Sequence, residues 1–169
     1  MRKGFFLGIT CMFITALLTA CGAAKTAPPQ TVRFSCDFAA EYQDLQLEGT
    51  LQRLNVGTLS LSLTVPPSLS GMQISWDGEK ATVAFHGLQY TMSAKLPQSA
   101  AARLMLETLD DACKRAADGA LTKDGVALSG TVGAYRYELL SDAKDGSLVS
   151  LEVPDAALSV RFFNAKPIE

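Results

Sequence analysis

Few side chains in this sequence of 169 residues stand in a pattern that supports catalysis. His86 is the only histidine, so a serine or cysteine nucleophile activated by histidine would depend on it. It lies at the end of a predicted strand, next to Gly87, and no Gly-x-Ser-x-Gly motif occurs in the chain. We interpret His86 as a solvated residue and expect a protein that is not an enzyme.

Acidic residues cluster twice without the spacing of a metal site. Asp110 and Asp111 follow Glu107 by about one turn of a predicted amphipathic helix, where they are most simply its solvated face. Asp142 and Asp145 lack the further acidic ligands of a calcium loop, so we interpret them as part of a turn. We therefore expect no metal ion and no cofactor.

Two of the four cysteines, Cys36 and Cys113, fall within the predicted folded domain. In an exported protein they could form a disulfide, although both lie on apolar faces where a free cysteine also packs well. The close cysteine pair of redox and zinc sites is absent. Disulfide and buried thiol both remain open from the sequence.

The N-terminal residues have the layout of an export signal. Arg2 and Lys3 precede a mostly apolar run from Phe5 to Leu18. About fourteen residues at about 1.5 Å each are too short to span a hydrocarbon core of about 30 Å comfortably. The segment therefore predicts secretion rather than a permanent transmembrane helix.

The sequence Leu18-Thr19-Ala20-Cys21, followed by Gly22, resembles the lipobox of bacterial lipoproteins. The resemblance implies that residues 1–20 are removed and that the Cys21 thiol receives a diacylglyceryl group. Two acyl chains would then hold the protein on the extracytoplasmic face of the cell membrane, where one chain would bind only marginally. The alternative is a soluble secreted protein in which a cysteine happens to follow the cleavage site.

The remaining chain is long enough for one domain. Residues 21–31 are small and proline-containing, which predicts a flexible tether; residues 32–164 form the domain, and residues 165–169 a tail. The whole chain has 15 basic and 17 acidic side chains, and the signal segment contains bases but no acids. This acidic balance argues against nucleic acid as a partner.

Apolar and polar residues alternate through most of the domain, which predicts about ten strands. One exception is the segment from Gln98 to about Asp118, whose apolar residues recur every three or four positions and predict an amphipathic helix that stops at Gly119. The predicted strands are Val32–Tyr42, Leu45–Gln52, Leu59–Val65, Met72–Trp76, Ala81–Phe85, Leu88–Met92, Val126–Val132, Ala134–Leu140, Val149–Val153 and Leu158–Phe163.

Such a sheet must curl, because ten strands at about 4.8 Å each are far wider than one helix of about 10–12 Å. We predict a mainly β, α+β fold: a curved antiparallel sheet or open half-barrel with one long helix on its concave side. The small residues Ala112, Cys113, Ala116 and Ala117 late in the helix favour a pocket slightly over a filled core. Both possibilities remain open at this point.

The order of these elements resembles the LolA/LolB-like superfamily of bacterial lipoprotein carriers and related lipoproteins. The resemblance rests on the lipobox, the loop 66–71, the hairpin around Trp76-Asp77-Gly78, Phe85-His86-Gly87-Leu88, and the late strands Tyr135–Leu139 and Leu148–Val153. It concerns the pattern of elements over most of the domain. Compared with the larger members of that superfamily, this chain has less helix to cover a cavity.

The resemblance implies a concave face that binds acyl chains or other hydrophobic ligands, or that docks another envelope protein. We therefore expect a membrane-anchored lipoprotein that binds a lipid or another hydrophobic molecule. The alternative is an interaction or regulatory lipoprotein without a cavity, docked on a cell-envelope enzyme. The expected pocket walls are Leu61, Leu63, Ile74, Trp76, Val83, Phe85, Tyr90, Met92, Leu104, Met105 and Leu109.

Overall fold

The structure, a computed structural model, describes residues 33–92, 97 and 100–168. The predicted signal segment, the lipidation site Cys21 and the tether 21–31 lie outside these residues. The same holds for Gln98 and Ser99, where the helix was expected to begin.

The first half of the domain is a meander of six antiparallel strands. Each strand pairs with the next along the chain, and the alternation of apolar residues turns one face of every strand inward. The strands are β1 Phe34–Tyr42, β2 Leu45–Arg53, β3 Leu59–Val65, β4 Gln73–Trp76, β5 Ala81–Phe85 and β6 Leu88–Met92.

One helix connects this meander to a second one. Helix α1 spans Ala101–Lys114 and continues into a 3-10 turn, Ala116–Asp118. The strands that follow are β7 Ala120–Leu121, β8 Val126–Val132, β9 Tyr135–Ser141, β10 Leu148–Val153 and β11 Leu158–Pro167.

The two meanders join into one open sheet of eleven strands. The order is β6-β5-β4-β3-β2-β1-β11-β10-β9-β8-β7, with the first and last strands paired antiparallel in the middle. The chain therefore passes from one edge of the sheet, at β6, to the other edge, at β7, through α1. This connection places the helix across the concave face.

The core lies between α1 and the central strands. The helix turns Leu104, Met105 and Leu109 into it, each at most 2% exposed, and Phe38 and Leu51 of the sheet are equally buried. Burial of this apolar surface, at about 25 cal/mol per Å², is the main term that holds the helix against the sheet.

The predicted fold class is confirmed, with differences at the ends of elements. The sheet has an eleventh strand, β7, whose two residues are too few to show a period. Strand β11 continues to Pro167, so residues 165–167 belong to the sheet and not to a tail. The α-helix ends at Lys114 because Arg115 leaves helical geometry, with φ −110° and ψ 18°.

A close approach of two strands explains one glycine of the sheet. A Cβ atom on Gly49 of β2 would lie only 2.0 Å from the backbone oxygen of Ser62 on β3. The pairing of β2 with β3 shifts register at this point, between Glu48 and Gly49. The missing side chain thus permits the close approach of β2 and β3 at this register shift.

Candidate functional site

An apolar cavity of about 260 Å³ lies between the sheet and the start of α1. We call it the helix-start cavity. All the described residues that line it are aliphatic or aromatic. They are Phe38, Ala40, Tyr42, Leu47, Leu61, Leu63, Ile74, Val83, Ala100, Ala101, Ala102, Met105 and Leu158.

The floor and the rim of this cavity differ in burial. Phe38, Leu61 and Met105 form part of the floor and are at most 4% exposed. Ile74 and Val83, on β4 and β5, are only half-buried, as are the three alanines 100–102 at the helix start. The cavity is therefore closed at the central strands and open on the side of β4, β5 and the helix start.

The sheet register places the lining residues in rows across neighbouring strands. In one row, Leu51 is opposite Leu61, Leu61 opposite Ile74, Ile74 opposite Val83, and Val83 opposite Tyr90. Exposure rises along the row from 0% at Leu51 and 4% at Leu61 to 67% at Tyr90. The helix thus covers the central strands only, and the cavity lies where its cover ends.

Small side chains create the space. Ala40 on β1 and three successive alanines, Ala100, Ala101 and Ala102, at the helix start leave room that larger residues would fill. The small residues late in the helix, which favoured a pocket slightly, do not line this cavity, and Ala112 among them is fully buried in the core.

Five of the predicted pocket residues line the helix-start cavity: Leu61, Leu63, Ile74, Val83 and Met105. The remaining ones lie elsewhere. Leu104 is packed in the core, Leu109 borders a second cavity, Tyr90 is exposed, and Trp76, Phe85 and Met92 are half-buried on the apolar face of the sheet.

Several lining residues were missed by sequence reasoning. Phe38, Ala40 and Tyr42 have the inward period of β1, and Leu47 has that of β2, so the alternation could have identified them. Leu158 could not have been found in this way, because its position depends on β11 pairing with β1 across the whole length of the domain.

A second cavity, of about 190 Å³, lies further along the helix beside Leu109. We call it the Arg53 cavity, since Arg53 is its buried charged residue, 1% exposed. Its lining is mixed, with acidic and basic side chains at the rim. The residues are Phe34, Arg53, Leu109, Asp145, Gly146, Ser147, Leu148, Ala165, Lys166 and Pro167.

Arg53 joins the sheet to the helix. Its Nη2 atom lies 2.6 Å from Oδ1 of Asp110, and Nη1 donates to the backbone oxygen of Leu109 at 3.0 Å and to the Cys113 sulfur at 3.2 Å. Asp110 also accepts hydrogen bonds from the backbone nitrogen of Gly57, at 3.0 and 3.1 Å. The buried charge therefore has a carboxylate partner, which such a charge requires.

Asp111 also makes specific contacts. It accepts a hydrogen bond of 2.6 Å from the Tyr137 hydroxyl and a longer one from Arg115. Burial, together with the hydrogen bond to Asp111, raises the pKa of Tyr137. The interpretation of Asp110 and Asp111 as a simple solvated face is wrong, because both carboxylates bind side chains of the sheet.

Both domain cysteines are free thiols. Cys36 is 2% exposed on the inward face of β1, and burial, together with the neighbouring Asp37 carboxylate, raises its pKa to about 12. Cys113 is half-buried and accepts the hydrogen bond from Arg53. In the structure, Cys36 is therefore a buried thiol and forms no disulfide with Cys113.

The described residues present no assembled catalytic or metal-binding group. His86 is exposed in the β5–β6 turn, where its ring lies 4.1 Å from that of Phe85, centroid to centroid. No cluster of three or more His, Cys, Asp or Glu side chains suited to a metal ion occurs in the described part of the chain. Asp142 and Asp145 cap backbone nitrogens of their own turn.

Comparisons with known proteins bear on the fold. No protein-family model matches the sequence, and no curated protein matches it. The structure is similar to the crystal structure of an uncharacterized conserved protein from Thermus thermophilus. The TM-score is 0.53 at 9% identity, over 82% of this chain and 80% of that one.

A second similarity, to the LolA superfamily protein NE2245 from Nitrosomonas europaea, has a TM-score of 0.38 at 8% identity. It covers 84% of this chain and 88% of that one. Identities this low concern the fold alone.

Proposed function

We propose that this protein is a membrane-anchored, extracytoplasmic lipoprotein that binds the acyl chain of a lipid in the helix-start cavity and catalyses no reaction. The observation that carries the proposal is the lining, in which every described residue is aliphatic or aromatic. A cavity whose described lining is apolar except for the hydroxyl of Tyr42, and that is open on one side, suits a hydrocarbon chain, since a polar ligand would find few partners there.

The size of the cavity limits the ligand. Its volume of about 260 Å³ is slightly below the range of about 300–1,000 Å³ that is common for small-molecule pockets. One liquid water occupies about 30 Å³, so the cavity accommodates roughly nine groups of that size. A single acyl segment fits, with its polar end at the half-exposed rim.

A larger side chain at the helix start tests this assignment. Ala101→Phe should fill part of the cavity, and displacing about two methylenes at about 0.8 kcal/mol each weakens binding roughly tenfold. Ala143→Phe, in the exposed turn between β9 and β10, is the matched control. Membranes that contain the full chain would be treated with a photoactivatable, alkyne-tagged fatty acid, and the labelled peptides mapped by mass spectrometry.

The proposal predicts labelling of cavity peptides in the wild type and in Ala143→Phe, with a strong loss in Ala101→Phe. Equal labelling of all three proteins would contradict it. So would labelling confined to peptides outside the cavity.

The membrane anchor is a separate part of the proposal and rests on the lipobox-like residues that end at Cys21. Within the described residues, no helix has the length and apolar character to cross a bilayer. Growth of expressing cells with a tagged fatty acid should label the wild-type chain and leave Cys21→Ala unlabelled. Equal incorporation into both would contradict lipidation at Cys21.

A further inference from the structure

Among the described residues, strand β6 is an edge of the sheet that no other strand pairs with on its outer side. Leu88 and Tyr90 are 78% and 67% exposed, and none of the residues of β4, β5 and β6 is charged. The opposite edge, β7, has only two residues, against five in β6. Short length and charged residues are common features that prevent unwanted pairing of edge strands. Strand β7 is protected by its short length, whereas β6 is longer and uncharged.

The turn before β6 determines which backbone groups face outward. His86 and Gly87 form a two-residue turn with φ of 49° and 79°, and Phe85 is opposite Leu88. In such a hairpin the flanking pair is hydrogen-bonded, and bonded residues then alternate along the strand. Leu88, Tyr90 and Met92 therefore direct their backbone groups to β5.

Gln89 and Thr91 direct their backbone N–H and C=O groups away from the sheet. Each offers one backbone donor and one acceptor at the outer edge of β6. These four groups have the spacing that an added antiparallel strand requires.

We propose that two copies of this chain pair through β6, antiparallel, about a twofold axis at Tyr90. In this register Gln89 lies opposite Thr91 of the second copy, and Thr91 opposite Gln89 of the second copy, so that each pair exchanges two backbone hydrogen bonds. Tyr90 lies opposite Tyr90 of the second copy in the pair without hydrogen bonds, where side chains are closest.

Self-complementarity favours a second copy over a strand of another sequence. The register places Leu88 opposite Met92 of the second copy, so the apolar side chains of both copies share one face. Because β6 is uncharged, the two copies bring no like charges together. A shift by one residue would oppose outward-facing groups to inward-facing ones and lose the hydrogen bonds.

The pairing also extends an apolar row of the sheet that helix α1 does not cover. The row from Leu61 through Ile74 and Val83 to Tyr90 would continue into the second copy. An isologous contact of this kind closes on itself and stops at a dimer.

Cysteine crosslinking of the full chain in membranes tests the register. Tyr90→Cys should form a disulfide-linked dimer on mild oxidation, because directly opposed Cβ atoms in such a pair are about 4.5–5.5 Å apart. Leu88→Cys alone should not, since its counterpart lies several residues away, whereas a mixture of Leu88→Cys and Met92→Cys should. The chain without an added cysteine controls for Cys36 and Cys113.

Proline distinguishes backbone pairing from simple proximity. In the Tyr90→Cys chain, Gln89→Pro removes an outward-facing N–H and should abolish the crosslinked dimer, whereas Gln89→Ala should retain it. Continued protection of Cys36 from alkylation shows that each variant is folded.

Three outcomes overturn the proposal: no dimer from Tyr90→Cys, equal dimer from Leu88→Cys alone, or a Tyr90→Cys conjugate with a different protein. The last would mean that β6 binds a strand of another partner.

Discussion

At the scale of single residues, the contact between Arg53 and Asp110 has the largest expected effect on stability. Arg53 continues the inward period of β2 after Leu47 and Leu51, but arginine is usually assigned to the surface, so its burial was not predicted. Its partner is 57 residues away in sequence. The alternation of inward-facing residues along β2 could have indicated that Arg53 is buried. That its partner is Asp110 could be learned only from the structure.

Asp110→Ala should lower the free energy of unfolding by about 3 kcal/mol or more, because it leaves the buried Arg53 charge unpaired. Glu107→Ala, which removes a more exposed pair with Arg103, should cost only about 0.5 kcal/mol or less. Urea unfolding measures the loss of unfolding free energy in both variants. The double variant Arg53→Met with Asp110→Ala should recover part of the loss, and a double variant less stable than Asp110→Ala would contradict this explanation.

The two domain thiols should differ in reactivity. Cys36 is buried with its pKa raised to about 12, so little thiolate is available to an alkylating reagent at neutral pH. Cys113 is half-buried and should react first. Alkylation of the native protein followed by peptide mass spectrometry should modify Cys113 before Cys36, with Cys36 reacting only in denaturant. Equal rates in the native state would show that Cys36 is not buried.

At the scale of elements, the sequence predicted the strands well because their alternation follows directly from one buried face. The prediction from sequence failed at strand β7, because Ala120–Leu121 is too short to show an alternation. It also failed at the end of the α-helix, because the backbone angles of Arg115 end the helix there. The expected pocket walls include five residues of the helix-start cavity but not its alanines. These alanines precede the most periodic part of the helix, so the sequence pattern did not single them out.

Gly49 should be intolerant of a side chain. Gly49→Ala would place a Cβ atom against the Ser62 backbone oxygen and force β2 and β3 apart, at a cost of about 1–3 kcal/mol or more. The neighbouring exposed residue provides the control, since Thr50→Ala should change stability by no more than about 0.5 kcal/mol. If thermal unfolding gave the same midpoint for both variants, the close approach of these strands would be refuted.

The Arg136–Asp155 pair connects β9 to the turn between β10 and β11. The hydrogen bonds from Arg136 lower the pKa of Asp155 to about 2. Since the unfolded carboxyl has a pKa of about 3.9, this contribution is present above about pH 4 and is lost as pH falls through about 2.

Wild type should therefore be more stable than Asp155→Asn above about pH 4, and the difference should shrink on acidification. Denaturant unfolding of both proteins at a series of pH values measures this difference in the free energy of unfolding. A difference that does not change between pH 6 and pH 2 would mean that the Asp155 carboxylate is not the source.

At the scale of the whole molecule, the cavity follows from topology. A chain that leaves the sheet at β6 and returns at β7 must cross the concave face once, and one helix covers only its middle. The apolar rows of β3 to β6 therefore run beyond the helix, and the gap at its first turn becomes an open apolar cavity. The fold class could be derived from this reasoning, whereas the size and position of the cavity depend on packing at Ala40 and Ala100–Ala102.

The most direct test of ligand binding is native mass spectrometry of the full chain released from its own membrane. We expect a noncovalent adduct in the lipid mass range that is lost on denaturation, that persists in Ala143→Phe and that is strongly reduced in Ala101→Phe. A wild-type protein without an adduct, or an adduct unchanged by Ala101→Phe, would contradict the assignment of the helix-start cavity as a lipid-binding site.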